Sequence, residues 1–408
     1  MFKYLFVLIV LITFSISAQP IMTGADVLIS EKLILLSGKK IGIVTNHTAL
    51  LSDGNHLVDA LVGKSDFQIT ALFGPEHGIR GNVQAGETVH SDVDVKTGIK
   101  IHSLYGNTKK PTKEMLSNVD LLIFDIQDVG ARFYTYISTL FYVIESANEN
   151  NIPLIVLDRP NPIGGFAIDG PIRKEGLESF VGIAPIPVIH SMTVGELANY
   201  FIGEGLIKVK QGFSLEILTI KNWNRNSLVT DYNSDWIPPS PNLPFKESAI
   251  VYPGTCLVEG TNVSEGRGTL NPFLTIGAPF INSQELINEL SVLGHPGLLL
   301  SATAFVPMDI DGMSSNPKYK NIRCNGIQIS VKSPKDVKPF EFGLNLICAL
   351  QKLYPDNFQI RDKSFDLLIG DKNIRRLIKS GSTPNQILNS YFRELNHFQL
   401  IRQKYLLY

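Results

Sequence analysis

Short, continuous apolar runs alternate with amphipathic stretches through the first half of the chain. The runs are Lys40–Asn46 (KIGIVTN), Gln68–Gly74 (QITALFG), Ile99–Leu104, Asp120–Gln127 (DLLIFDIQ) and Pro153–Asp158 (PLIVLD). Helical patterns lie between them at His56–Val62, Thr112–Leu116 and Phe133–Ala147. Strands that are apolar throughout, separated by helices, predict a parallel sheet covered on both faces and hence an α/β fold. Polar residues gather just beyond the carboxyl end of these runs: Asn46-His47, Gly74-Pro75-Glu76-His77-Gly78, Asp125-Ile126-Gln127-Asp128 and Asp158-Arg159-Pro160-Asn161-Pro162. In an open α/β sheet that edge binds ligands.

The pattern breaks at Trp236–Pro244 (WIPPSPNLP), whose four prolines exclude helix and central strand. A rigid connection there predicts a boundary near Phe245. Tyr252–Pro272 is Gly-rich and polar, reads as a long loop, and carries Glu259, Glu265 and Arg267. Farther on, helices are expected at Gln284–Leu293, Phe342–Leu353 and Asn373–Lys379, with strands at Ser301–Val306 and Gly326–Val331.

The first residues are a different kind of segment. Lys3 precedes the apolar stretch Tyr4–Phe14, and the small residues Ser15, Ser17 and Ala18 follow. This reads as a secretory signal, residues 1–18, and predicts export to the periplasm or the exterior. The run is short for a membrane anchor. With 44% apolar and 18% charged residues the remainder is an ordinary globular chain, and a net charge of -1 disfavours a nucleic-acid binder. Cys256, Cys324 and Cys348 are too few for a disulfide scaffold and too scattered for a cysteine zinc site, though one bridge is allowed.

Nucleotide chemistry finds no motif. No G-x-G-x-x-G follows the first strand, and Gly63-Lys64-Ser65 has Val58 where a phosphate loop needs glycine. His47, His77, His90 and His102 show no metal-binding spacing, so neither metal nor cofactor is expected, and a metal-dependent hydrolase is a minor alternative. Ser191 and Ser264 sit in no nucleophile elbow. Glu76, on a turn flanked by glycines at a strand end, suits acid–base work; bracing by Arg80 is the plainer reading. Asp125, Asp128 and Arg132 surround Gly130, where helix capping by Asp128 is the plainer reading. Tyr134 and Tyr136 fit either core or cleft, and Trp223 and Trp236 fit either core or a sugar platform.

Taken together, FGPEHGIRG (Phe73–Gly81), AGE (Ala85–Glu87), SLYG (Ser103–Gly106), FDIQDVGARFYTY (Phe124–Tyr136), LDRPNPIGG (Leu157–Gly165), SPNLP (Ser240–Pro244) and EGTNVSEGRGT (Glu259–Thr269) resemble the exo-β-N-acetylmuramidase family, long catalogued as a domain of unknown function. The resemblance runs to the closing RQKYLLY. One departure is Ser191, where the family usually has glycine. The resemblance implies a Rossmann-like parallel-sheet subdomain (residues 19–245), a smaller α/β C-terminal subdomain (246–408) and an active cleft between them. It implies hydrolysis of the β-1,4 bond joining a terminal, non-reducing N-acetylmuramic acid (MurNAc) to GlcNAc in peptidoglycan fragments and muropeptides. Glu76 is then the leading acid. Glu265, Asp125 and Asp128 compete as its partner, unless the substrate's acetamido oxygen supplies the nucleophile. Arg267, Arg80 and Arg132 are the motif arginines available to the lactyl carboxylate, and His77, Asn161 and Asn262 complete the expected binding set. A non-catalytic, muropeptide-binding envelope protein is the competing class.

Overall fold

The computed structural model describes residues 19–76, 78–81, 92–232 and 235–408. The first half runs α1 (Gly24–Glu31), β1 (Lys40–Thr45), α2 (Leu57–Leu61), β2 (Gln68–Gly74), β3 (Asp92–Val93), β4 (Lys100–Ser103), β5 (Leu121–Asp125), α3 (Tyr136–Glu149), β6 (Leu154–Leu157), α4 (Val194–Gly203) and β7 (Leu215–Leu218). The second runs α5 (Lys246–Thr255), β8 (Thr275–Ala278), α6 (Ser283–Leu293), β9 (Leu298–Phe305), β10 (Cys324–Val331), α7 (Pro339–Leu353), α8 (Asp362–Ile369), α9 (Lys372–Lys379) and α10 (Pro384–Arg402).

Among the described residues seven strands form one sheet in the order β3-β4-β2-β1-β5-β6-β7. Every neighbouring pair is parallel except β3 with β4. The chain moves outward from β1 through β2 to β4, then returns to the other side of β1 at β5. This Rossmann-like order reverses between β1 and β5, the place at whose carboxyl edge open α/β sheets bind ligands. The smaller sheet, β8-β10-β9, is antiparallel.

Both faces of the large sheet are covered, which is why its strands read as continuous apolar runs. Ile41, Ile43, Leu72 and Ile123 pack with Leu28, Leu57 and Leu61 on one face. Val44, Phe73, Phe124 and Val156 pack with Ile137, Leu140, Leu197 and Phe201 on the other. That second core continues without a break into Ile276, Ile327, Phe340 and Leu346 of the second half.

Several local expectations change. Thr112–Leu116 forms turns, since so short a stretch after Pro111 has no length over which to recover the cost of nucleating a helix. The helix expected from Phe133 starts at Tyr136, and Asp128 does not cap it: its Oδ2 accepts from Gly130 N–H at 2.7 Å. The helix expected from Phe342 starts earlier, with Pro339 in its first turn. The loop expected from Tyr252 opens instead with the end of α5, which contains Pro253 and Gly254. A Cβ on Gly254 would lie 1.8 Å from the Pro339 carbonyl oxygen, and one on Gly343 would lie 2.3 Å from the Gly254 oxygen. Glycine here serves the close crossing of α5 and α7, not a turn. Helices α1, α4, α5, α8 and α10 were not anticipated.

Ser191 adopts a left-handed φ of 53°, which accounts for the glycine usual at this position; its hydroxyl donates to Ala167 O in partial compensation. All three cysteines are free thiols. Among the described residues no helix is long and apolar enough to cross a membrane.

Candidate active site

Glu76 follows β2 at the carboxyl edge of the sheet. Its Oε2 accepts from the Thr135 hydroxyl at 3.0 Å. Thr135 lies between two tyrosines that pack edge to face, the Tyr134 and Tyr136 ring centroids being 4.9 Å apart. The Tyr136 hydroxyl donates to Pro239 O at 2.8 Å and reaches the Glu76 backbone oxygen at 3.5 Å. Tyr105 also stands against the Glu76 carboxylate; burial, and then that charge, push its phenol above the usual range. The proline-rich segment closes over this group, with Pro238 O 2.8 Å from His47 Nε2. From the second half, Tyr252 meets Tyr134 edge-on at 5.8 Å.

Asp128 and His190 form a buried pair beside these tyrosines. Burial pushes the Asp128 carboxyl up to about 7, while its bonds from the Gly130 and Val129 N–H groups oppose the rise. Burial, with the charges of Arg402 and Arg132, pushes His190 down to about 3, so its ring is neutral. His190 Nδ1 accepts from Met192 N–H at 3.2 Å, which places the ring proton on Nε2, 3.9 Å from Asp128 Oδ2. Asp128 Oδ1 is buried with no hydrogen-bond partner. Gly130 is required next to it: at φ 81° its Cβ would fall 2.3 Å from Asn161 Oδ1.

In the second half Glu265 is buried and doubly paired, with Lys318 Nζ at 2.9 Å and Arg267 Nε at 3.5 Å. Arg267 also binds Glu259 through Nε at 3.0 Å and Nη2 at 2.8 Å. Its guanidinium lies 5.3 Å above the centre of the Phe273 ring. Phe273 has a φ of 64°, rare for a bulky residue, and is held there by its N–H bond to Glu265 O at 2.7 Å.

A family model for the N-terminal part of the exo-β-N-acetylmuramidase NamZ matches residues 41–247, and one for the C-terminal part matches residues 250–408. The chain belongs to the exo-β-N-acetylmuramidase NamZ family. It is 46% identical over 389 residues to the peptidoglycan β-N-acetylmuramidase NamZ of Bacillus subtilis strain 168, covering 95% of this chain and 91% of that one. A DUF1343 family protein from Bacteroides fragilis superposes with a TM-score of 0.86 at 33% identity, covering 95% of this chain and 99% of that one. A second from the same organism gives 0.77 at 33% identity, covering 96% and 99%.

Within this muramidase-family fold the other candidates take up different work. Asp125 is buried and bound by Arg159 through Nε at 2.5 Å and Nη2 at 3.0 Å. Arg80, suggested as a brace for Glu76, is held by Asp59 at 3.0 Å and Asp94 at 2.8 Å. Arg132 is fully buried and donates to the backbone oxygens of Pro171 at 2.7 Å, Ile186 at 2.9 Å and Leu368 at 2.7 Å. Asn161 turns its own loop, accepting from Ile163 N–H at 3.1 Å and donating to Met192 O at 3.0 Å. Asn262 pairs with the Asn357 carbonyl and the Gln359 N–H, both at 2.8 Å. Both tryptophans bond inward, Trp223 to the Tyr232 hydroxyl and Trp236 to Leu243 O. His77 and the Ala85–Glu87 motif lie outside the described residues.

The motif reading missed Thr135, Tyr105, His190 and Lys318. Thr135 and Tyr105 stand inside quoted motifs, FYTY and SLYG, so the signal was present without a role. Lys318, in a stretch matching no quoted motif, gave none.

Proposed function

We propose that this chain is an exo-β-N-acetylmuramidase of cell-wall turnover and recycling. It releases the terminal non-reducing MurNAc from β-1,4-linked MurNAc-GlcNAc saccharides and muropeptides. The observation that carries the site assignment is the Glu76 carboxyl, set at the sheet edge among Thr135, Tyr105 and Tyr136. A carboxylic acid there protonates the departing glycosidic oxygen. The cleft runs between residues 19–245 and 246–408, and the protein acts in the periplasm or outside the cell after loss of residues 1–18.

Glu265 makes a poor second catalytic group, because its carboxylate is spent on Lys318 and Arg267. This favours a substrate-assisted route in which the acetamido oxygen attacks the anomeric carbon. Asp125 and Asn262 are committed to protein partners, whereas Asp128 Oδ1 is not. Asp128 is therefore the group we assign to the acetamide N–H.

Incubating the purified protein with MurNAc-GlcNAc should yield free MurNAc as the β-anomer first, read by proton NMR, while intact cross-linked sacculi remain poor substrates. An initial α-anomer would reject substrate assistance and restore Glu265 as a general base. No sugar release at all would leave a binding protein.

Of the motif arginines, Arg80 and Arg132 are tied to carboxylates and carbonyls away from Glu76. Arg267 is held by Glu259 and Glu265, but it stacks on Phe273, whose ring meets Tyr252 and through it Tyr134 beside Glu76, and it is the one assigned to the lactyl carboxylate. Arg267→Ala should weaken MurNAc substrates by about 1.5–3 kcal/mol and GlcNAc analogues much less. Equal losses on both would remove that role.

A further inference from the structure

Thr135 stands at the N-cap of α3, yet its side chain caps nothing. The contrast with the rest of the chain is specific. Thr23, Thr193 and Thr383 hold the same position on α1, α4 and α10, with ψ of 167°, 169° and 152°, and each side chain accepts from the N–H three residues on. Thr135 has ψ −10°, a helical value that turns its hydroxyl away from those N–H groups. The hydroxyl goes instead to Glu76 Oε2, 3.0 Å away and 59 residues earlier in the chain. A capping interaction worth about 1 kcal/mol elsewhere has been given up for a bond to a carboxylate.

We propose that Thr135 is a positioning residue for proton delivery by Glu76; this rests on Glu76 being the general acid. The Thr135 hydroxyl fixes the plane of the carboxyl group and keeps Oε2 as an acceptor, so the proton to be transferred belongs on Oε1. In the step itself the bond from the anomeric carbon to oxygen breaks. Its electron pair stays on the leaving GlcNAc oxygen, which takes the proton from Oε1. The acetamido oxygen bonds to the anomeric carbon in the same step, so the sugar passes through an oxocarbenium-like transition state to an oxazolinium ion, and Glu76 is left as a carboxylate. The Thr135 bond thereby changes from neutral to charge-assisted as the reaction proceeds. It is stronger in the transition state than in the ground state, so it lowers the barrier without tightening substrate binding.

That asymmetry supplies a test which a merely structural threonine would fail. Acid assistance matters for a sugar leaving group and little for a 2,4-dinitrophenolate, which departs without a proton. Thr135→Val keeps the β-branched shape and removes the hydroxyl. On MurNAc-GlcNAc it should lower kcat by about 10-fold or more, with KM within about twofold. On 2,4-dinitrophenyl β-MurNAc its kcat should stay within about twofold of wild type. Thr135→Ser, which keeps the donor, should restore the disaccharide rate. Equal losses on both substrates, no loss on either, or failure of Ser to rescue would each overturn the inference. If the Val protein does not fold, Thr135→Ala serves in its place. Glu76→Gln, run in parallel, separates the two levels: it should show the same split in larger measure. A split with Glu76→Gln and none at Thr135 defeats the Thr135 inference alone, whereas no split with Glu76→Gln defeats the acid assignment itself.

Discussion

Glu76→Gln is expected to lower kcat on MurNAc-GlcNAc by at least about 10²-fold with no change in melting temperature. The amide preserves the shape of the side chain, and its oxygen can still accept from Thr135, which is the contact that orients it. It has no acidic proton to give. Nothing in the core depends on the charge, since the carboxyl stands on a turn beyond β2 and not within the packed strands. The outcome is measured as kcat with melting followed on the same preparation. Turnover within about threefold of wild type would eliminate Glu76 as the acid, and a large fall in melting temperature would make any rate loss uninformative.

The second large effect concerns stability. Arg132→Met should destabilise the fold by about 3–5 kcal/mol. Arg132 was a candidate for the lactyl carboxylate, but its guanidinium joins three backbone oxygens from Pro171, Ile186 and Leu368. Two of these belong to the first half of the chain and one to α8 of the second. Gly370 leaves room for it, since a Cβ there would fall 2.5 Å from Arg132 Nη2. Methionine fills much of the volume and removes the guanidinium donor from all three carbonyls, of which Ile186 O keeps a second donor, the Arg173 N–H at 3.3 Å. Arg132→Lys should rescue little, because a single ammonium does not match the fork of a guanidinium. Urea unfolding would show a lower midpoint at unchanged slope. A loss below about 1 kcal/mol would mean that water or repacking satisfies those oxygens.

These two residues mark how far the sequence reaches. Five strands and their parallel pairing were legible, because each strand of a doubly covered sheet must be apolar throughout, and polar residues then collect where it ends. The motif segments that carry the family resemblance were likewise legible by themselves. Local pattern misled where a residue serves a distant contact. Gly254 looked like a loop glycine, yet it admits α7 against α5. Helices α8 and α10 went unread, although α10 opens with a capping box from Thr383 and Gln386.

For the site, the sequence by itself determined which loops hold the charged residues but not what each charge meets. On paper Glu76 leads as the acid and Arg267 leads for the lactyl carboxylate, with Arg80 and Arg132 next in line. Tertiary structure gives Arg80 to Asp59 and Asp94, Arg132 to carbonyls up to 236 residues away, and Glu265 to Lys318. It also diverts the Thr135 hydroxyl from its helix to Glu76. The physical reason is range. Strand and helix periodicity follow from neighbours a few residues apart, and so they are written in the chain. The partner of a buried charge is whichever group the packed fold brings within about 3 Å, and only the assembled core decides that.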